Sequence, residues 1–381
     1  MAEGAALPVE TMTGPVVTGR SLWAEARGRL VRNRAALTSI IVLTLIALAC
    51  IFGPFFTGHP FDRVYTDYVK VPASFEAYPK PDQIVPQVER IGARVRAKAE
   101  NIRTDNGIVH VTLVSSSARP IDERLLAYFE RSDLFGTATV VERQEEGRRL
   151  VIDVPVKRQH FFFGTDANGR DLLTRTMKAG QISLSIGLLA TFVAILIGVI
   201  YGATSGYLGG RVDLVMMRIV DILYSLPFIF FVIMLVVFFG RNFILMFIAV
   251  GAVEWLDMAR IVRGQTLSIK RQEYVQAAEA LGVETKGIIR RHVIPNTLGP
   301  VVVYMTLLVP KVILLESFLS FLGLGVQEPN TSLGVLISEG AKNIQGATWM
   351  LLHPSITLVA ILFCLNFIGD GLRDALDPKD R

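Results

Sequence analysis

The hydrophobic and polar positions of the chain separate into long stretches. Four stretches contain no Asp, Glu, Lys or Arg, and they lie at 35–61, 179–210, 222–240 and 343–369. The hydrocarbon core of a bilayer is about 30 Å thick, and a helix needs roughly 20 apolar residues to cross it. Each stretch is therefore predicted to contain a membrane-spanning helix.

Two further apolar segments carry charges. The segment at 243–260 contains Glu254 and Asp257, and a later one contains Lys311 and Glu316. A charge at mid-bilayer costs at least about 2.5 kcal/mol, so these segments are predicted to face protein or a wet cavity. The pattern predicts an all-α polytopic membrane protein with six spanning helices, at about 35–56, 182–206, 219–239, 243–262, 298–320 and 350–369.

The charged residues in these two spans have two explanations. They line a translocation path, or they pair between helices and mark the inner mouth of the bundle. Pairing is favoured for Asp257, Arg260 and Arg263, which step by three along one flank of a helix. Glu316 and Lys311 are the candidates for the path.

Orientation follows from the enrichment of Lys and Arg in short inner loops. The outer short loops hold only Arg241 and Lys342. With the amino terminus inside, the inner flanks hold Arg20, Arg27, Arg29, Arg32, Arg34, Arg211, Arg218, Arg260, Arg263, Lys270, Arg271, Lys286, Arg290, Arg291, Arg373, Lys379 and Arg381. The bias predicts that both termini lie inside.

Composition agrees with a membrane protein. Hydrophobic residues make up 51% of the 381 residues, and the mean hydropathy is +0.45. The net charge of +5 lies in the inner loops, which argues against a nucleic-acid surface. The two cysteines, Cys50 and Cys364, both fall in predicted spans and indicate neither a disulfide framework nor a metal site.

A charged, amphipathic segment at 272–296 separates two spans. Tyr274, Ala277, Ala278 and Leu281 recur at helical spacing and predict one face, while Gly282 is predicted to end the helix. A second short helix is predicted up to about His292, where Pro295 stops it. The chain is thus expected to form a helix, a Gly bend and a helix.

This segment resembles the EAA loop in permease subunits of bacterial ABC importers. The resemblance rests on Gln276-Ala-Ala, on Gly282 and on the ending His292-Val-Ile-Pro-Asn296, which is similar to the peptide and nickel branch. It implies that the loop, within 264–296, docks onto an ATPase through Glu273, Tyr274, Gln276, Ala277, Ala278, Leu281, Gly282, His292 and Pro295. Gln276 departs from the usual Glu, and His292 from the usual aliphatic residue. The alternative is any cytoplasmic hairpin resting on the transmembrane core.

Further segments resemble the same family. They include Gly164-Thr-Asp-Ala-Asn-Gly-Arg-Asp171, Ser183-Leu-Ser-Ile-Gly187, Ser317 to Gly325, Gly369 to Pro378 and Arg32-Asn-Arg-Ala-Ala36. The matches cover about 20–60 and 160–381. The first octet also contains oxygen ligands near a glycine, but its spacing is wrong for an EF-hand calcium loop. An Asx-turn capped by Asp166 and Asn168 is favoured instead.

Residues 57–160 differ in composition and predict a soluble α+β insert on the periplasmic side. Helices are predicted at 87–103 and 121–131, a strand at 107–114, and a hairpin from strands 137–143 and 149–156. The insert is either a contact surface for a binding protein or companion permease, or a decoration that packs on itself. The other divisions are a cytoplasmic segment at 1–34 with an interfacial helix, a first span at 35–56 and a permease core at 161–381.

Enzyme signatures are missing from the sequence, including the phosphate-binding Gly-x-x-x-x-Gly-Lys-Ser/Thr loop. The resemblance implies a peptide permease subunit in the bacterial inner membrane. Its expected partners are a second homologous permease, two ATPase subunits that use ATP and Mg²⁺, a periplasmic binding protein and the lipid bilayer. The chain itself is expected to bind no cofactor or nucleic acid and to be no enzyme.

Two other functions remain open from the residues alone. A secondary transporter or channel with an outer sensor domain would need no ATPase, but it predicts mid-span carboxylates and inverted repeats. A membrane-anchored outer domain would place the function in 57–160.

Overall fold

The structure, a computed structural model, describes residues 22–117, 119–240 and 243–376. The polar segment 1–19 and the charges Arg20, Arg241, Lys379 and Arg381 lie outside these residues. The helices are α1 Leu22–Arg32, α2 Arg34–Phe56, α3 Pro81–Arg94, α4 Ala127–Glu130, α5 Leu172–Leu208, α6 Gly210–Ser225, α7 Phe228–Phe239, α8 Phe243–Ile269, α9 Glu273–Ala280, α10 Thr285–Ile288, α11 Ile294–Phe321, α12 Leu333–Lys342 and α13 Trp349–Leu376. The strands are β1 Ala97–Asp105, β2 Ile108–Ser115, β3 Thr139–Gln144 and β4 Arg149–Pro155.

Four helical stretches of the described chain are long and apolar enough to cross a membrane: Arg34–Phe56, Leu172–Leu208, Thr285–Phe321 and Trp349–Leu376. A fifth span is present if α6 and α7 together form one span, although the two helices meet at an angle of 84°. The prediction of one continuous helix over 219–239 is therefore wrong. Pro227 disfavours helical backbone at the residue before it, and Leu226 has an extended ψ of 127°.

Helix α5 is the centre of the bundle and packs along α8. The two backbones approach closely because three glycines, spaced by four, face α8: Gly198, Gly202 and Gly206. A Cβ at Gly202 would lie 2.4 Å from the carbonyl oxygen of Ala259. Small residues at this spacing let membrane helices pack tightly.

Helix α2 joins α5 where Pro54 interrupts its hydrogen bonds. Pro54 has no N–H, so the carbonyl of Cys50, four residues earlier, loses its partner in the helix. The Nε2 of Gln181 on α5 donates to that carbonyl oxygen at 2.5 Å. A side chain of the neighbouring helix thus satisfies the backbone group that the proline left free.

Between α2 and α5 the chain forms helix α3 and an antiparallel sheet in the order β1-β2-β4-β3. The predicted helix over 87–103 is wrong in its second half, where the chain forms β1. A two-residue turn at Asn106 and Gly107, both with positive φ, pairs β1 with β2. Asn-Gly between strands is a strong hairpin signal, because both positions need a left-handed backbone.

A narrow neck attaches this sheet to the bundle. Tyr78 and Gln159 exchange both backbone hydrogen bonds, at 2.7 and 2.9 Å. Nearer the bundle, Tyr65 N–H donates to Gly169 O at 3.1 Å, and Thr165 N–H donates to Val71 O at 2.9 Å. The neck is therefore hydrogen-bonded to the bundle, while its buried residues Tyr65, Tyr68, Val71 and Phe161 pack in the hydrophobic cluster of the sheet. The sheet itself lies beyond Tyr78 and Gln159.

Candidate functional site

Helix α9 ends in a capping motif built on Gly282. The backbone of Gly282 has a φ of +77°, its N–H donates to Glu279 O, and Val283 N–H donates to Ala278 O. This pair of bonds defines a Schellman cap, which favours glycine because other L residues rarely adopt that backbone. The predicted end of the helix at Gly282 matches this geometry.

One side of the α9–α10 hairpin is anchored in the bundle. Val275 and Ala278 are buried on α9, and Ile288 and Val293 are buried after the bend, in a cluster with Tyr207 of α5 and with residues of α8. Lys270, just before the hairpin, donates to the carbonyl oxygen of Tyr207 at 2.6 Å. The hairpin is thus fixed to the ends of α5 and α8.

The other side of α9 is open. Leu281 is 84% exposed and Tyr274 is 43% exposed, and Ala277 and Gln276 are also exposed. Three of the four residues predicted to share a face therefore lie outward, whereas Ala278 turns inward beside Val275. The inward position follows from the helical period, since Val275 and Ala278 are three residues apart.

After the bend, the helix does not stop at Pro295 as predicted. The chain is helical from Thr285 to Phe321, 37 residues in all. Residues Ile289–Val293 form a π-helical turn in which Ile294 N–H donates to Ile289 O. The wider turn places Pro295 in the first turn of α11, where a missing N–H is tolerated.

Three more of the predicted loop residues, His292, Glu273 and Gln276, lie outside the buried side of the hairpin. The ring of His292 lies 6.3 Å from that of Tyr274, and Glu273 opens α9 in its first turn. Gln276 Nε2 lies 3.4 Å from the carbonyl oxygen of Arg271. Gln276 thus points toward the start of the hairpin and not into the bundle.

The charges on α8 are paired, as favoured above. Arg263 donates to both carboxylate oxygens of Asp213 at 2.6 Å, and Arg260 Nη2 lies 2.9 Å from Asp221. Asp213 and Asp221 belong to α6, so these ion pairs fix α6 against α8. A bidentate Arg–carboxylate pair adds geometric precision as well as energy.

Lys311 on α11 pairs with two carboxylates of α8. Its Nζ lies 2.8 Å from Glu254 and 3.2 Å from Asp257. The Glu254 side chain is 4% exposed, whereas that of Lys311 is 51% exposed. A half-exposed ammonium group at this depth requires protein or water beside it, because hydrocarbon would not solvate it.

Glu316 lies one and a half turns further along α11 and is fully buried. Its carboxyl accepts hydrogen bonds from Ser320 Oγ at 2.6 Å and from Ser183 Oγ at 3.2 Å. Ser320 Oγ is also 3.2 Å from Ser332 Oγ, the N-cap of α12. Glu316 therefore connects α5, α11 and α12, while Lys311 remains at the surface.

Comparison with known proteins identifies the family. A family model described as the binding-protein-dependent transport system inner membrane component matches residues 181–381. The chain belongs to this family. A second model, described as the N-terminal TM domain of oligopeptide transport permease C, matches residues 21–73 of this inner membrane component.

Several relatives of this inner membrane component are similar over nearly its whole length. It is 46% identical over 365 residues to the oligopeptide transport system permease protein OppC of Escherichia coli strain K12, covering 96% of this chain and 94% of the relative. It is 42% identical over 363 residues to OppC of Haemophilus influenzae, and the alignment covers 95% of this chain and 90% of the relative. A shorter match is 47% identical over 230 residues to the dipeptide transport system permease protein DppC of Bacillus subtilis. It covers 60% of this chain and 72% of the relative.

The inner membrane component carries a buried ionic network before α5. Asp166 caps a turn by accepting from the N–H groups of Asn168 and Arg170, at 2.8 and 2.9 Å, and it pairs with Arg170 and Arg175. Gly169 has a φ of +81°. Asp166 thus adopts the predicted Asx-turn, and no cluster of three metal-ligating side chains occurs in the described part of the chain.

Burial raises the pKa of two carboxyl groups near this turn. It raises the pKa of Asp171, which caps α5 at Thr174 N–H, although hydrogen bonds from Thr174 oppose the shift. Burial also raises the pKa of Glu339 on α12, and the positive charge of Arg175 opposes that shift. Arg170 reaches Glu328 at 2.9 Å, so the network joins the turn to the segments around α12.

Proposed function

We propose that the chain is one permease subunit of an ATP-driven peptide importer. In this proposal six helices cross the inner membrane, both termini lie inside, and the insert at 57–160 is periplasmic. A second homologous permease completes the pathway, two ATPase subunits bind below and use ATP and Mg²⁺, and a periplasmic binding protein delivers the substrate. The chain itself hydrolyses nothing.

The exposed side of the hairpin at 272–296 carries the proposal. Leu281, Tyr274 and Ala277 present apolar surface on a segment whose opposite side is anchored by Val275, Ala278, Ile288 and Val293. A clustered apolar projection that the bundle leaves exposed is typical of a protein contact. Arg290, Arg291 and Lys286 on the same connection favour the inner side, where an ATPase is accessible.

The continuous helix explains how an ATPase movement would reach the membrane. Because α10, the π-helical turn and α11 form one helix from Thr285 to Phe321, a displacement of the hairpin would move α11 directly. The pairs between Lys311 and α8 would transmit that movement to the neighbouring helix. We infer that the hairpin acts as a lever on α11.

Helix α11 is also proposed to border the translocation path. Lys311 and Asp257 are partly exposed where two spans meet, and these charges favour a wet or protein-covered face. Glu316 lies behind them and holds α5 and α12 in place. The peptide substrate is proposed from the OppC and DppC relatives, which are named for oligopeptide and dipeptide transport.

Leu281→Glu in the reconstituted transporter tests the docking role. Leu281 is 84% exposed, so the thermal stability of the permease should change by no more than about 0.5 kcal/mol. A charge in the ATPase contact should weaken ATPase binding about tenfold or more, as expected for a central interface residue. Binding is measured with purified ATPase subunits, and peptide uptake is measured in vesicles.

Phe75→Glu is the matched control, because Phe75 is 88% exposed but lies in the neck of the insert. It should leave ATPase binding unchanged. Uptake that needs no ATPase and follows a proton gradient would instead support the secondary transporter. Unchanged ATPase binding by Leu281→Glu would contradict the proposed docking face.

A further inference from the structure

A cavity of about 720 Å³ lies between α2 and α5. This volume falls within the range of roughly 300–1,000 Å³ typical of ligand sites. Its rim includes Ile51 and Phe55 of α2 and Leu188 of α5, all exposed, so the cavity opens on the outer surface of the bundle. Both helices are long enough to cross the membrane, so lipid can reach an opening on this surface.

The lining of the cavity changes from polar to apolar along its length. Near the start of α5 it contains Thr174 and Lys178, with His59 opposite, and further along α5 it contains Leu184 and Leu188. Gln181 also lines it, but its amide is bonded to the carbonyl of Cys50. The site therefore has a polar end and an apolar end, as an amphiphilic ligand has.

The length of the lining matches the hydrocarbon depth of one leaflet. On α2 the lining residues run from Leu43 to Phe55, which at 1.5 Å per residue is about 18 Å. Half of a bilayer core is about 15 Å thick. A single acyl chain of the leaflet therefore fits along the groove with its headgroup near Lys178.

The charge of Lys178 identifies the headgroup. Its ammonium is half-buried, 3.1 Å from Gln181 Oε1 and 5.6 Å from the centroid of the Phe61 ring. None of the carboxylates in the described ranges forms an ion pair with it, unlike Lys311, which has two acidic partners. An anion beside Lys178 would supply the missing counter-charge.

We propose that this cavity binds an anionic phospholipid, with one acyl chain between α2 and α5 and the phosphate on Lys178. The lipid would fill the space beside Pro54 of α2 and would support the contact of this helix with α5. This site is separate from the hairpin at 272–296. Its test therefore does not depend on the proposed cargo or on ATPase docking.

Native mass spectrometry of the complete, delipidated transporter provides the test. The complex is titrated with phosphatidylglycerol, with phosphatidylcholine or with inorganic phosphate. Wild type should bind phosphatidylglycerol about fivefold more tightly than phosphatidylcholine, the effect expected of one basic side chain near a headgroup. Lys178→Gln should lose this preference, and Ala47→Trp, which fills the groove, should lose the bound lipid of either kind.

Lys342→Gln is the charge control, since Lys342 lies on α12 outside the cavity. It should retain the preference for phosphatidylglycerol. An equal affinity of wild type for both lipids, or an unchanged preference in Lys178→Gln, would overturn the proposal. It would also be overturned if phosphate alone competed with the lipid, or if cross-linking placed a partner subunit in the groove.

Discussion

Gly282 shows how one residue sets the geometry of the hairpin. Its φ of +77° allows the Val283 N–H to reach Ala278 O, and a Cβ there would meet no atom within 4 Å. The requirement for glycine is therefore one of backbone conformation and not of space. Asparagine also tolerates this conformation, whereas alanine does so poorly.

Gly282→Ala should loosen the cap, while Gly282→Asn should preserve it. The left-handed backbone costs alanine about 1–2 kcal/mol, so the Val283 amide should exchange its hydrogen about tenfold faster. Hydrogen exchange of the purified permease measures this directly. Equal exchange rates in the two variants would show that the cap does not depend on the backbone of residue 282.

Glycine acts differently within the helices of the bundle. Gly198, Gly202 and Gly206 lie in α5 with helical backbone, and space decides their identity because α8 lies against them. The spacing was readable from the sequence as Gly-x-x-x-Gly-x-x-x-Gly. The sequence alone could not tell which helix packs there, since α8 is separated from α5 by α6 and α7.

Gly202→Ala should destabilise the contact between α5 and α8. The added Cβ would meet Ala259 O at 2.4 Å, and such overpacking typically costs about 1–3 kcal/mol. The thermal unfolding of the detergent-solubilised permease measures the loss. Gly264→Ala in α8 is the control, because no atom lies within 4 Å of the added Cβ. The stability of this variant should not fall.

The helix from Thr285 to Phe321 shows a limit of local sequence rules. Pro295 predicts a stop, because proline lacks an N–H and clashes with the preceding turn. The π-helical turn at Ile289–Val293 absorbs that conflict, with Val293 buried against the bundle. The local pattern predicted that the helix ends at Pro295, whereas tertiary packing allows it to continue into α11.

At the scale of the whole molecule, the neck connects the sheet to the bundle. At the end of the neck nearest the sheet, Tyr78 and Gln159 exchange two backbone hydrogen bonds. At the end nearest the bundle, Thr165 is bonded to Val71 and Gly169 to Tyr65. Removal of all of 57–160 would therefore also remove the partners of the turn around Asp166. A cut beyond Tyr78 would spare them.

Excision of residues 80–157, closed by a short glycine linker between Pro79 and Arg158, should leave assembly in the membrane intact. The linker is feasible because Tyr78 and Gln159 are already hydrogen-bonded neighbours. Excision of 57–160 should abolish assembly. Co-purification with the companion subunits measures both, and loss of assembly in the smaller excision would show that the sheet supports the bundle.

Peptide uptake by the smaller excision then separates the two roles considered for the insert. Retained uptake is expected if the sheet is a decoration that packs on itself. Lost uptake with intact assembly is expected if the sheet contacts a binding protein or the companion permease.

The sequence by itself determined four of the apolar spans, the hairpin at 272–296 and the end of its first helix at Gly282, because hydropathy, period and backbone preference are local. It also predicted strands at 107–114 and 149–156, which lie in β2 and β4. Only the tertiary structure decided that Glu316 is buried among serines while Lys311 stays half-exposed, and that Pro295 continues a helix. Those outcomes depend on neighbours distant in sequence, such as Ser183 and Glu254, which no local pattern places beside α11.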